Sequence, residues 1–117
     1  MKINIRANKI DLTPSITKYI EDKIGSLDKF IEGFEVDGET KVSVEIARTS
    51  KHHLHGEVFC AEASLNLKKH ILRAEEIDED AYAVIDKVKD TLKMEILKFK
   101  EKEEKLIRLN KKDKVSK

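Results

Sequence analysis

The chain has 117 residues, 39% of them hydrophobic and 40% charged, which favours one compact domain with a strongly solvated surface over a disordered chain. Its net charge is only +1, whereas nucleic-acid-binding domains are usually more basic. It has neither the apolar run of roughly 18 residues that a membrane helix needs nor a signal-peptide pattern. We therefore expect a soluble, cytoplasmic protein without membrane contact.

A strand and a helix are predicted at the N-terminus. Residues 2–8 alternate between polar and apolar side chains, which is the period of a half-buried strand. Thr13 and Pro14 form a helix start, because the Thr hydroxyl caps free N–H groups and Pro at the first helical position loses nothing by lacking its own. We expect a bend or local weakness at Gly25. The apolar residues at helical spacing are Ile16, Ile20, Ile24, Leu27 and Ile31, with Tyr19 and Phe30 beside them.

Three further strands are predicted after this helix. The alternation of apolar and polar residues returns at 42–47 and at 59–68, and the segment 70–76 is short and extended. These strands are separated by a loop at 33–40, a polar turn at 48–55 and the turn Lys68-Lys69-His70.

A second helix is predicted from about Asp78, where the apolar period changes from two to about 3.6. It should reach at least Phe99 and at most Leu109. The order β-α-β-β-β-α indicates an α+β fold in which both helices pack on one face of a four-stranded sheet, since this hides every apolar face. The opposite sheet face should carry no aromatic platform for base stacking. Its predicted residues are Glu45, Glu57 or Glu62, Ser64 and Asn66.

Lysines flank the apolar stripe of the second helix on both sides. On a wheel of about 100° per residue, the stripe holds Ala81, Ile85, Val88, Leu92, Ile96 and Phe99. One flank holds Lys87, Lys98, Lys102 and Lys105, and the other holds Lys89, Lys93 and Lys100. Two interpretations stay open. The lysine stems cover the core edge with their heads in water, or one flank joins Lys18, Lys23 and Lys29 of the first helix to bind phosphate groups.

Positive charge is concentrated near the C-terminus. Residues 98–117 contain nine basic and four acidic side chains, a balance of +5, so the remainder of the chain sums to −4. We expect a single domain at residues 1–109 and a flexible basic tail at 110–117. The tail is either a solvated chain end or an arm that binds phosphate.

Metal and catalytic sites have weak support. The histidines lack the regular spacing of a zinc site and are interpreted as part of a polar hairpin loop, with RNA contact as a further role. Cys60 is interpreted as a small strand side chain. The acidic residues before the second helix are interpreted as a helix cap. We expect no enzyme, no metal and no cofactor. The histidines are His52, His53, His55 and His70. The acidic residues of the predicted helix cap are Glu75, Glu76, Asp78, Glu79 and Asp80.

Four segments resemble the ribosome hibernation promoting factor and ribosome-associated inhibitor family, whose short forms are similar to sigma-54 modulation proteins. They are the opening M-K-I-N-I-R-A-N, the block H-G-E-V-F-C-A-E at 55–62, L-R-A-E-E at 72–76 and D-x-Y-x-x-I-D at 80–86. Their order and spacing extend the resemblance over about residues 1–102.

The resemblance implies a fold related in layout to double-stranded RNA-binding domains. It also implies a bacterial translation inhibitor of stress and stationary phase, acting on the ribosome. Members bind ribosomal RNA of the small subunit in the channel for messenger RNA and transfer RNA. Longer members pair ribosomes through a C-terminal dimerisation domain, so this chain resembles a short form, expected to be a monomer off the ribosome.

The resemblance also implies which residues contact RNA. Basic positions of the family match three lysines in the first helix and two, Lys87 and Lys98, in the second. Thr91 and Met94 depart from the family pattern, because basic residues are expected there, and Lys93 is the neighbour that would compensate. The complete predicted RNA-binding set is Lys18, Lys23, Lys29, Lys87, Lys89, Lys93 and Lys98.

One alternative belongs to a different functional class. The mixed surface charge also permits a protein-interaction module that modulates a transcription regulator.

Overall fold

The computed structural model describes residues 1–32, 40–49 and 58–115, with side chains described up to residue 109. Its elements are β1 (Lys2–Asn8), α1 (Pro14–Gly25), α2 (Asp28–Ile31), β2 (Lys41–Thr49), β3 (Val58–Leu67), β4 (His70–Asp78) and α3 (Ala81–Val115). Most of the predicted loop at 33–40 and most of the turn at 48–55, with His52, His53, His55 and Glu57, lie outside the described residues.

The four strands form one sheet in the order β1-β2-β3-β4. β1 pairs with β2 in parallel, and the two following pairs are antiparallel. α1 and α3 contact the sheet from one side and each other, so the predicted α+β layout is confirmed. No helix in the described part of the chain combines the length and apolar character required to cross a membrane.

The core lies between the sheet and the helices, as the periodicity predicts. In β2, Val42, Val44 and Ile46 are fully buried, while the intervening Ser43 and Glu45 face the other side of the sheet. Alternate strand residues point to opposite faces, so each strand contributes one apolar row. The helices supply the opposite wall with Ile20, Ile24, Ile85, Val88, Leu92 and Ile96.

The predicted first helix is divided in two. The Thr13 hydroxyl accepts a hydrogen bond from the Ile16 N–H at 3.1 Å, with Pro14 at the first helical position. α1 then ends at Gly25, where the sequence predicts a bend, and α2 begins at Asp28. After the break, α2 contacts α3, and Phe30 lies beside Lys93.

Several predicted boundaries were wrong. Asp78 ends β4, and α3 begins at Ala81. Arg48 continues β2, where it pairs with Phe59 instead of entering a turn. The backbone of α3 is helical to Val115, beyond the expected limit at Leu109. The division into a domain at 1–109 and a flexible basic tail at 110–117 stays a prediction.

The turn between β3 and β4 has an unusual backbone. Lys68 and Lys69 have φ angles of 47° and 68°, in the left-handed region that glycine and asparagine adopt most easily. Two-residue hairpin loops need this conformation because their twist matches that of the strands. Lys68 and Lys69 therefore form a strained two-residue turn, which sets the register in which Leu67 pairs with His70.

Replacing Lys69 with Gly should stabilise the protein by about 1 kcal/mol, because the left-handed backbone costs an L-residue roughly that much. Urea unfolding monitored by circular dichroism measures the change. Lys41→Gly is the matched control, and it should destabilise because the Lys41 backbone is extended in β2. Equal destabilisation by both variants would show that the turn is not strained.

Candidate nucleic-acid interface

Tyr19 joins α1 to α3. Its hydroxyl donates a hydrogen bond to Asp86 Oδ1 at 2.8 Å. Its ring meets the Tyr82 ring edge to face, with centroids 5.0 Å apart and an interplanar angle of 86°. Tyr82 and Asp86 are four residues apart in α3, so they lie one above the other on the same helix face. The two helices are therefore set against each other by one hydrogen bond and one aromatic contact.

Lys23 lies at the same junction. Its ammonium is 3.6 Å from Asp86 Oδ1 and 5.3 Å from the centroid of the Tyr19 ring. The same carboxylate oxygen thus accepts the Tyr19 hydroxyl and attracts the Lys23 ammonium. This contact positions the cation at the junction of α1 and α3.

A second cation group surrounds Phe30 of α2. The Lys29 ammonium lies 5.2 Å and the Lys93 ammonium 4.9 Å from the centroid of this ring. Both distances are within the range of a cation–π interaction. Lys93 comes from α3, so this ring brings together cations from two helices. We call the set Tyr19, Lys23, Lys29, Phe30, Tyr82, Asp86 and Lys93 the interhelix surface.

The remaining predicted lysines of this side are less closely placed. Lys89 is four residues before Lys93 and therefore on the same face of α3, half-buried and 3.4 Å from Asp90. Lys18 is exposed on α1, and its direction is rotated by about 100° from that of Tyr19. The flank of α3 that carries Lys89 and Lys93 is thus the one that faces α1 and α2.

Lys87 and Lys98 lie on the other flank of α3, beside β4. The Lys87 ammonium is 2.7 Å from Asp78 Oδ2. This hydrogen bond is the main reason why the pKa of Lys87 is raised and that of Asp78 is lowered. Lys98 is 3.7 Å from Glu95 and lines a cavity with Ile71. The structure therefore does not bring these two lysines to the interhelix surface.

The two departures from the family pattern have clear positions. The Thr91 hydroxyl donates to Glu76 Oε2 at 2.7 Å, so Thr91 faces β4. Met94 is 57% exposed. A basic residue at either position would lie away from the junction of α1 and α3, so neither departure removes a cation from the interhelix surface.

The predicted acidic helix cap was correct only in part. The Asp80 carboxylate accepts the Ala83 N–H at 2.8 Å, and the Asp78 carboxylate accepts the Asp80 N–H at 2.9 Å. Glu75 and Glu76, in contrast, belong to β4, where they point to opposite faces of the sheet. Only the last residues of the acidic run therefore serve the helix start.

The open face of the sheet carries a row of carboxylates. Glu45, Glu62 and Glu75 are directly opposite one another on three neighbouring strands, with Arg6 at the β1 end. Such a row repels phosphate groups. The described residues of this face include no aromatic side chain. The helix side of the domain therefore offers the better charge complementarity to an anion.

Cys60 lies beside this row. Its Sγ is 3.9 Å from Glu75 Oε1, and the ligand atoms of Cys60, Glu62 and Glu75 lie within 4.8 Å of one another. Burial, followed by the charges of Glu75 and Glu62, raises the pKa of the thiol. A raised pKa disfavours the thiolate that nucleophilic or metal-binding chemistry requires, and clustered surface carboxylates alone do not define a metal site.

His70 has a packing role among the described residues. Its ring lies edge to face against Phe99, with centroids 5.2 Å apart and an interplanar angle of 60°. It thus covers the end of the core between β4 and α3. We therefore assign His70 a structural role, the packing of β4 against α3.

The sequence did not indicate the aromatic part of the interhelix surface. Tyr19 and Phe30 were predicted only as residues beside the apolar stripe of the first helix. The available signal was spacing: Tyr19 and Lys23, like Tyr82 and Asp86, are separated by four residues. The contact between the two pairs joins positions 67 residues apart and is decided only by the fold.

A model of the family described as Sigma 54 modulation protein / S30EA ribosomal protein matches residues 3–104. The chain belongs to this family. Among curated members, the ribosome hibernation promotion factor of Lactococcus lactis subsp. cremoris is 36% identical over 101 residues, covering 86% of this chain and 50% of the relative. The factor of Picosynechococcus is 34% identical, covering 87% and 50%. The chain spans about half the length of these relatives.

Two solved structures share the fold of this chain. The Thermus thermophilus Protein Y N-terminal domain has a TM-score of 0.67 and 29% sequence identity, covering 85% of this chain and 99% of that one. A ribosomal subunit interface protein from Coxiella burnetii also has a TM-score of 0.67, at 15% identity, covering 86% of this chain and 98% of that one. The second likeness supports the fold alone.

The hydrogen bond to Asp86, followed by burial and the charge of Asp86, raises the pKa of Tyr19 above its ordinary 10.0. The contribution of this hydrogen bond to the free energy of unfolding is therefore fully present below the pKa of Tyr19 in the unfolded chain. It is lost as the pH rises through the pKa of Tyr19 in the folded protein. Asp86→Asn should lower the Tyr19 pKa, because the charge is removed. Tyrosinate absorbance against pH, in a Tyr82→Phe background, measures it.

Asp90→Asn is the control for this titration, since Asp90 is exposed on the same helix. It should leave the Tyr19 titration unchanged. If Asp86→Asn and Asp90→Asn gave the same titration as the unmodified background, the Tyr19 to Asp86 hydrogen bond would be absent in solution.

Proposed function

We propose that this protein is a ribosome-associated hibernation factor that inhibits translation by binding the small ribosomal subunit in the channel for messenger RNA and transfer RNA. The family and the names of its ribosome hibernation promotion factor relatives support the ribosomal role. The observation that carries the RNA contact is the convergence of Lys29 and Lys93, from α2 and α3, on the Phe30 ring.

Lys29 and Lys93 are the principal phosphate ligands in this proposal. Within the described residues, neither ammonium forms an ion pair with a carboxylate, and both rest on the Phe30 ring. A cation–π contact orients an ammonium without neutralising it. Its N–H groups thus remain available for charge-assisted hydrogen bonds to phosphate oxygens, and part of the side-chain ordering cost is already met in the free protein.

The other predicted lysines have secondary roles. Lys87 and Lys98 each hold a carboxylate, so a phosphate must displace that partner before it binds. Lys23 shares Asp86 and contributes less net charge. Lys18 and Lys89 lie beside the interhelix surface and add to the electrostatic attraction of RNA. The proposed order of importance is therefore Lys29 and Lys93 first.

In this proposal the protein acts by occupying a site on the ribosome, during stress or stationary phase in the bacterial cytoplasm. Occupancy needs shape and charge but no covalent step, so no catalytic group, metal or cofactor takes part. The protein is a monomer off the ribosome, and ribosomal RNA is its direct partner.

A second candidate function is supported by exposed apolar side chains on the outer side of α3. Met94 and Leu97 are 57% and 43% exposed and are three residues apart, so they form one small apolar patch. Such a patch suits a protein partner, including a transcription regulator. Binding to a protein partner without ribosome association would favour this alternative.

Co-sedimentation with purified small subunits over a series of salt concentrations tests the proposal. The unmodified protein should bind with an affinity that falls log-linearly with salt, because phosphate contacts release counterions. Lys29→Gln combined with Lys93→Gln should weaken binding and reduce the salt slope by about 1 to 2, since each neutralised phosphate accounts for roughly 0.7 to 0.9 of that slope.

The matched control pair is Lys87→Gln with Lys98→Gln, which removes the same charge from the flank beside β4. Its effect on affinity should be clearly smaller. A larger effect of the control pair would transfer the interface to that flank. Absence of small-subunit binding by the unmodified protein at low salt would refute the ribosomal role.

A further inference from the structure

Tyr82 has an exposed ring at the junction of α1 and α3. It lies in the first turn of α3 and is 38% exposed. Its described ring contact is the perpendicular one with Tyr19. Because the two ring planes are nearly at right angles, Tyr19 covers at most one face of the Tyr82 ring. Part of the aromatic surface of Tyr82 therefore remains open to solvent.

Tyr19 and Tyr82 have different structural roles at the junction of α1 and α3. The Tyr19 hydroxyl is bound to Asp86, and Lys23 approaches the Tyr19 ring. Tyr19 is thereby committed to joining the helices. The Tyr82 hydroxyl, in contrast, donates to none of the described residues, as expected of a side chain that is 38% exposed and reaches water. Part of the Tyr82 side chain therefore takes no part in the packing of α1 against α3.

We infer that Tyr82 is a stacking platform for an unpaired nucleobase, beside the Lys23 ammonium of the interhelix surface. This inference rests on the proposed function and adds base recognition to it. Single-stranded nucleic acids are commonly bound by a cation that holds the backbone and an aromatic ring that stacks on the base. Every base has a π-face, so the contact selects unpaired nucleotides and not a sequence.

The position of Tyr82 suits this pairing of contacts. Tyr82 touches Tyr19, and Tyr19 carries the Lys23 ammonium 5.3 Å from its ring centroid. A cation and an open ring thus lie side by side on neighbouring helices. The open sheet face has no equivalent, because its described residues present the carboxylates of Glu45, Glu62 and Glu75. Base stacking therefore belongs to the helix side of the molecule.

Binding to purified small subunits tests the inference with two substitutions of the same ring. Tyr82→Leu keeps an apolar side chain but removes the π-face, and it should weaken binding by about tenfold. Tyr82→Phe keeps the ring and should bind as the unmodified protein does. The salt slope should stay unchanged in both, because stacking releases no counterions. Met94→Ala is the control for removal of an exposed apolar side chain on α3.

Intrinsic fluorescence provides a second readout that does not depend on the ribosome. The chain has two tyrosines and no tryptophan, so the difference in emission between the unmodified protein and Tyr82→Leu is that of Tyr82. A six-residue single-stranded oligoadenylate should quench its emission by stacking. An abasic chain of equal length and charge should bind through phosphate contacts but leave the emission unchanged.

The outcomes separate this inference from the proposed function. Normal small-subunit binding by Tyr82→Leu, together with weakened binding by the Lys29 and Lys93 variant, would overturn the stacking role and leave the ribosomal role intact. Equally weakened binding by Tyr82→Leu and Tyr82→Phe would also overturn it, because the hydroxyl would then be the contact. If the unmodified protein did not bind small subunits, equal or absent quenching by the two oligonucleotides would refute stacking independently.

Discussion

The Asp86 carboxylate is the contact on which the interhelix surface depends. A single oxygen accepts the Tyr19 hydroxyl and lies 3.6 Å from the Lys23 ammonium. Apolar packing holds α1 and α3 together but is not directional, so it permits small rotations of one helix against the other. The hydrogen bond is directional and selects one rotation. The positions of Tyr82 and Lys23 beside Tyr19 follow from that choice.

The fold separates charges that nearly cancel in the sequence. Arg6, Glu45, Glu62 and Glu75 form one row on the open sheet face. On the helix side of the domain, Lys29 and Lys93 meet at Phe30, and Lys23 lies at Tyr19. An approaching anion is repelled by the first surface and attracted by the second, which orients it before contact. A net charge of +1 is therefore compatible with a binding surface for RNA.

The two flanks of α3 are used differently. On the β4 side, Thr91 bonds Glu76 and Lys87 bonds Asp78, so polar side chains fasten the helix to the edge strand. On the α1 side, Lys93 rests on an aromatic ring and keeps its charge unpaired within the described residues. One helix thus stabilises the domain with one flank and presents cations with the other. Residues of the same type have different roles because their neighbours differ.

Much of the fold was determined by the sequence alone. The period of two in the strands, the period of 3.6 in the helices and the Thr13-Pro14 start predicted the element order and the buried faces. Periodicity reports only on which face a residue lies, since it is a local property. It did not place the ends of β2, β4 and α3, where pairing and capping contacts decide. Nor did it show which lysine flank faces α1, because Tyr19 and Asp86 are 67 residues apart and meet only through tertiary packing.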